Sequence, residues 1–125
     1  MGIEKGQRIL LHFGAVDNEC SVFVNGKAVG GHLGGYLPFT IDITDSVLNG
    51  ENSLKVLVSD SLNKTYPYGK QSQKRGGMWY TPISGIWQTV WLETVPETYI
   101  KEIKTTTTLD SVTVKVTGGE ETKHL

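Results

Sequence analysis

A single cysteine, Cys20, is all the thiol chemistry in this chain. No intrachain disulfide can form, which excludes the small stapled scaffolds of secreted proteins. Long apolar runs are missing as well: no window approaches the roughly eighteen residues that a membrane-crossing helix needs. An excess of either charge is missing too. Twelve basic and thirteen acidic residues leave a net charge of −1, without the basic footprint that nucleic acid or anionic lipid requires. Neither nucleic acid nor a membrane is therefore an expected partner. The opening MGIEKGQ lacks the apolar stretch of a signal peptide and reads as an arbitrary cut that enters a strand within a few residues. His12, His32 and His124 fall at no ligand spacing, so no metal is expected. Gly30–Tyr36 (GGHLGGY) is glycine-rich but lacks the following helix and lysine of a phosphate-cradling loop, so no cofactor is expected. Its glycines read instead as sites of positive φ and close passage of backbone between sheets.

What is present is alternation of period two. Ile9, Leu11 and Phe13 share one face, as do Cys20, Val22 and Val24; Phe39/Ile41/Ile43, Leu54/Val56/Val58 and Val112/Val114/Val116 repeat the pattern. Short strands separated by turn signals predict an all-β, antiparallel sandwich. Asn25-Gly26 between two such runs supplies the two positive-φ positions of a type I′ hairpin. The stretch 42–52 can hold one short helical turn, capped by Thr44 or Asp45 and stopped by Asn49-Gly50. Residues 59–77 form a long polar segment without periodicity, a length that in a compact domain is usually functional or mobile. Composition changes after Pro96. Residues 99–108 and 111–116 around Leu109-Asp110 read as one hairpin of a different unit, followed by a polar tail. Two strands cannot enclose a core alone, so this piece needs the first unit or further sequence.

All three tryptophans, Trp79, Trp87 and Trp91, lie in sixteen consecutive residues, MWYTPISGIWQTVWLE. Read as one continuous strand, 86–93 places Ile86, Val90 and Leu92 on one side and Trp87 and Trp91 on the other. Large apolar side chains on both faces predict burial on both, once in the core and once at a domain boundary.

At this point the residues resemble a known pattern. Ala15-Val16-Asp17, Val24-Asn25-Gly26, Gly34-Gly35-Tyr36, Pro38-Phe39, Asp42-Ile43-Thr44, Gly50-Glu51-Asn52 and Ser84-Gly85-Ile86-Trp87 stand in this order across residues 8–95. The ordered set resembles the sugar-binding domain of glycoside hydrolase family 2, which includes β-galactosidases, β-glucuronidases and β-mannosidases. The resemblance implies a jelly-roll fold of the galactose-binding-domain type over 1–97, truncated at its N-terminus. It also implies that 98–125 is the first hairpin of an immunoglobulin-like domain. By the same resemblance the chain is a non-catalytic accessory part of a retaining, β-galactosidase-like enzyme whose catalytic barrel lies elsewhere. Some galactose-specific members carry an acidic residue just before Met-Trp; here that position is Gly77, which departs from the galactose pattern. A cytoplasmic, bacterial-type enzyme is slightly favoured, although the chain itself fixes no compartment.

Asp17 stands where some members touch sugar hydroxyls, and a carboxylate can accept from two hydroxyls at once; the alternative is a carboxylate that organises its own turn. Trp79 and Tyr80 could stack on a sugar face or pack the rim of the polar segment, whose Lys70, Lys74 and Arg75 suit an acidic sugar or simple solvation. Trp87 and Trp91 are assigned to a domain interface. The expected partners are a β-glycoside, the remaining domains of a parent enzyme and, through unpaired sheet edges, a second copy of the chain. No catalytic residue is expected: retaining glycosidases hold two carboxyl groups about 5–5.5 Å apart, and no spacing here marks such a pair. A self-standing carbohydrate-binding module or a protein-interaction sandwich would share the same fold.

Overall fold

The computed structural model describes residues 4–60 and 84–118, together with the backbone of 122–124. Among these residues eleven strands appear in order: β1 (Gln7–Phe13), β2 (Val16–Asp17), β3 (Glu19–Val24), β4 (Lys27–Leu33), β5 (Phe39–Asp42), β6 (Leu54–Ser59), β7 (Gly85–Ile86), β8 (Val90–Pro96), β9 (Ile100–Thr107), β10 (Val112–Gly118) and β11 (Thr122–His124). Every pairing among them is antiparallel. Two three-stranded sheets, β5-β1-β8 and β4-β3-β6, face each other, β2 pairs with β7, and β9, β10 and β11 form a separate sheet.

The core sits between the central strands, because only a strand flanked on both edges is shielded from all sides. Ile9, Leu11 and Phe13 of β1 are buried against Cys20, Val22 and Val24 of β3, with Ile41, Ile43 and Val47 closing the cluster. Each such side chain contributes about 1.5–3 kcal/mol by leaving water. Register aligns Phe13 with both Phe39 and Val90, and the Phe13 and Phe39 rings stack at 4.7 Å, with His32 on the far face of Phe39 at 4.5 Å. The edge strands keep the alternation but not the burial: Leu54 and Leu92 remain about half exposed at 49% each. Between them an apolar cleft of about 400 Å³ opens into the sandwich, lined by Leu11, Ile43, Leu54, Val90 and Leu92 among others.

Alternation alone puts Leu10 on the outer face of β1, yet Leu10 and Val95 are buried. The start of β9 accounts for this: Tyr99, Ile100 and Lys101 share a cavity of about 500 Å³ with Leu10, Val95 and His12. The β9–β10 hairpin therefore has its root against the outer face of the β5-β1-β8 sheet. Beyond the root it is open, with Ile103 and Val112 exposed.

Asn25-Gly26 makes the expected turn, with φ of 51° and 81°, and closes β3 onto β4 at the Val24–Lys27 pair. Asn25 also fastens this turn to two distant segments. Its Nδ2 donates to Ser46 O and Asn52 Oδ1, both at 2.8 Å, and its Oδ1 accepts from Ser53 N–H at 2.9 Å. Asn52 in turn accepts from Leu48 N–H at 2.7 Å and donates to Leu48 O at 2.9 Å. The helical turn exists as a 3-10 turn over Thr44–Ser46, but neither Thr44 nor Asp45 caps it. Asp42 holds it instead, accepting from Thr44 N–H at 3.0 Å, because a side chain two residues upstream reaches that N–H without disturbing the turn. The turn also ends at Ser46, before Asn49-Gly50 is reached.

One expectation is corrected. Residues 86–93 are not one strand: β7 ends at Ile86 and β8 starts at Val90. The chain between them crosses Gly14, whose N–H donates to Thr89 O at 2.9 Å and where a Cβ would sit 2.6 Å from Gln88 Cβ. The crossing resets the alternation, so Trp87 and Trp91 no longer share a face by register. Neither indole enters the core; Trp87 is 51% exposed and Trp91 45%.

Candidate functional site

Three of the ordered sequence fragments converge at one spot. Residues 16–17 and 85–86 pair as β2 and β7, with Asp17 opposite Gly85. Residues 34–36 join them through two bonds: Gly34 N–H donates to Asn18 O at 2.8 Å, and Trp87 Nε1–H donates to Gly35 O at 2.8 Å. The result is an open cleft of about 350 Å³ lined by Asp17, Gly35, Tyr36, Ser84, Gly85, Ile86 and Trp87. That volume lies at the small end of the range for ligand sites.

Gly35 is required by the close approach of Asp17. A Cβ at position 35 would lie 2.7 Å from Asp17 Oδ1, so the carboxylate rests directly on the backbone there. Asp17 Oδ1 is shielded and has no hydrogen-bond partner among the described residues. Burial pushes the Asp17 carboxyl above its ordinary range, and the charge of Asp60 and a hydrogen bond to the Asp60 carboxyl push it the same way. The aromatic wall comes from Tyr36 and Trp87, whose rings meet edge to face at 6.0 Å and 71°; both are more than half exposed. The cleft thus offers acceptors beside exposed ring surface, an arrangement suited to a hydroxylated, partly apolar ligand.

Other predicted residues fall elsewhere. Trp79, Tyr80, Gly77 and the cationic residues of 59–77 lie outside the described residues, apart from the first positions of that segment. Trp91 lies on the outer sheet face, stacked on His12 at 4.9 Å and 15°. His12 is held between Thr40 Oγ1 at 2.8 Å and Glu93 Oε2 at 2.7 Å. Asp17 and Trp87, assigned to different roles by the sequence, share one cleft. Sequence reasoning did not assign Tyr36 a role, nor did it pair Asp60 with Asp17. Tyr36 carried a signal, since Gly34-Gly35-Tyr36 is an ordered fragment that no strand requires. Asp60 carried none.

Residues 2–96 match the family model described as glycosyl hydrolases family 2, sugar binding domain. The chain belongs to this family. It is 39% identical over 105 residues to a Formosa agariphila protein that carries a provisional β-glucuronidase name, covering 84% of this chain and 12% of that protein. It is 36% identical over 101 residues to a β-galactosidase of Thermoanaerobacter pseudethanolicus, covering 79% of this chain and 13% of the relative. Among solved structures, an uncultured Clostridium β-glucuronidase superposes with a TM-score of 0.65 at 30% identity, over 91% of this chain and 21% of that one. The chain therefore spans about an eighth of the two relatives' lengths, and it corresponds to their sugar-binding domain.

Proposed function

We propose that this chain is a non-catalytic accessory domain of a β-glycosidase, and that the Asp17–Tyr36–Trp87 cleft contributes sugar contacts to such an enzyme. The observation that carries the reading is the meeting, in one open cleft, of a shielded carboxylate oxygen without a partner among the described residues and two exposed aromatic rings. Pyranosides present hydroxyl donors on their rim and apolar C–H groups on their faces, and these match a carboxylate and an indole respectively. In this reading residues 1–97 form the sugar-binding unit, 98–125 open a following immunoglobulin-like unit, and the exposed Trp91 face meets the remainder of the parent enzyme.

The test uses an enzyme carrying this domain. Asp17→Ala and Trp87→Ala are each expected to raise KM about tenfold while kcat changes less than about threefold. Variants indistinguishable from the unmodified enzyme would overturn the sugar-contact role. The isolated chain should bind monosaccharide glycosides no tighter than millimolar. Micromolar binding of an oligosaccharide would instead make it a self-standing module.

A further inference from the structure

We infer that Trp87 is a positioning residue of the cleft and acts through its indole N–H. The bond from that N–H to Gly35 O fixes residues 34–36 and so sets the spacing between the Tyr36 ring and the Asp17 carboxylate. The consequence for affinity rests on reading the cleft as a sugar site; the anchoring itself does not. Residues 34–36 have little stiffness of their own. Gly34 adopts a φ of 115°, and a Cβ at Gly35 would lie 2.7 Å from Asp17 Oδ1, so both positions call for glycine. Two consecutive glycines give up the most backbone freedom on ordering, and bonds to the surroundings have to hold them. Among the described residues two do: Gly34 N–H donates to Asn18 O and the indole N–H donates to Gly35 O, each at 2.8 Å.

Trp87 is suited to be the fixed end of the second bond. On one flank Ile86 pairs with Val16 and Gly85 with Asp17. On the other, Thr89 O accepts from Gly14 N–H at 2.9 Å, and Gln88 is so close to Gly14 that a Cβ there would sit 2.6 Å away. A backbone tied on both flanks carries an indole whose nitrogen can only donate. The ring is half exposed, so its place is set by that one polar atom more than by burial of its apolar surface. Without the bond, the glycine loop is free to swing, and Tyr36 moves with it. Asp17 stays behind on β2, because its pairing with Gly85 is untouched. A pyranoside that needs the carboxylate and the Tyr36 ring together then loses the preset geometry that makes both contacts at once.

The 15N-labelled chain is prepared in three forms. One is unchanged; one has Trp87 replaced by β-(3-benzothienyl)alanine, which exchanges the N–H for sulfur and keeps the bicyclic ring; one has 5-fluorotryptophan at that position, which keeps the N–H. The first readout is hydrogen exchange at the Gly34 amide, which is bonded to Asn18 O. Exchange is expected to quicken about fivefold in the benzothienyl form and to stay at the wild-type rate in the fluorinated one. Amides of β1, the central strand between β5 and β8, should be unchanged in all three. The second readout is titration with methyl β-D-galactopyranoside and methyl β-D-glucopyranoside, followed at the Gly34 and Tyr36 amides. The glycoside that binds the wild type should bind the benzothienyl form about fivefold more weakly and the fluorinated form within about twofold. Trp87→Phe, which also lacks the donor, should match the benzothienyl form in both readouts and replaces it if the sulfur analogue disturbs β1. Wild-type Gly34 exchange without the donor overturns the anchoring and leaves the sugar reading standing. Faster exchange with unchanged affinity overturns the link between loop position and sugar binding. If neither glycoside shifts these amides in the wild type, the sugar reading fails, and the inference about affinity fails with it.

Discussion

Replacing Asn25 dissects the most connected turn in the molecule. The residue carries two separable properties: a left-handed backbone, φ of 51°, and three side-chain hydrogen bonds, to Ser46 O, Asn52 Oδ1 and Ser53 N–H. All three bonds are exposed, so each is placed at the low end of the usual range, about 0.5 kcal/mol, or about 1.5 kcal/mol together. A left-handed conformation costs alanine about 1 kcal/mol, whereas glycine, and asparagine through its short, locally bonding side chain, adopt it at little cost. Asn25→Gly is therefore expected to lose about 1.5 kcal/mol and Asn25→Ala about 2.5 kcal/mol. Urea denaturation followed by tryptophan fluorescence measures both. For a slope near 1.5 kcal/mol/M, the midpoints should fall by about 1 M and about 1.7 M with the slope unchanged. Asn52→Ala combined with Asn25→Gly should show a coupling of about 0.5 kcal/mol, since the two amides touch. An Asn25→Gly variant as stable as wild type would refute the fastening role, and equal losses for glycine and alanine would refute the backbone contribution.

Asp17→Asn should raise the melting temperature at neutral pH and leave it unchanged near pH 3. The folded Asp17 carboxyl lies above its unfolded value, so its ionisation on raising pH destabilises the fold, and a loss of stability at neutral pH would contradict this. Asp42 has the opposite sign. Burial raises it, but bonds from the Thr44 hydroxyl and amide and the Arg8 guanidinium outweigh burial and hold it below its usual range. Asp42→Asn should thus destabilise at neutral pH, with the difference from wild type closing as pH falls below about 3.9; a gap constant with pH in thermal melts would refute it. The edge strands β6 and β8 flank the apolar cleft with Leu54 and Leu92 half exposed, and unpaired edges attract further strands. Sedimentation equilibrium should show concentration-dependent self-association that Leu92→Lys abolishes; a wild-type monomer at all concentrations would refute it.

Much of the architecture was legible because burial in a sandwich follows alternation. The triplets Ile9/Leu11/Phe13 and Cys20/Val22/Val24 announce the central strands, and Asn25-Gly26 announces its hairpin. Alternation fails at Trp87, because the close crossing at Gly14 that breaks the strand is a contact between residues far apart in the chain. It fails again at Leu10 and Val95, which are covered by a segment beyond the sandwich.

The candidate site divides along the same line. The family pattern, the sheet-forming periods, the lack of any basic footprint and the candidacy of Asp17 are all legible along the chain, since each depends on local composition or on order. Tertiary folding alone brings Trp87 and Tyr36 beside Asp17 and lets the charge of Asp60, 43 positions away, act on its carboxyl. Nothing local specifies such meetings. They follow from how β2 and β7 pair and from where Gly35 allows the backbone to pass beneath a carboxylate.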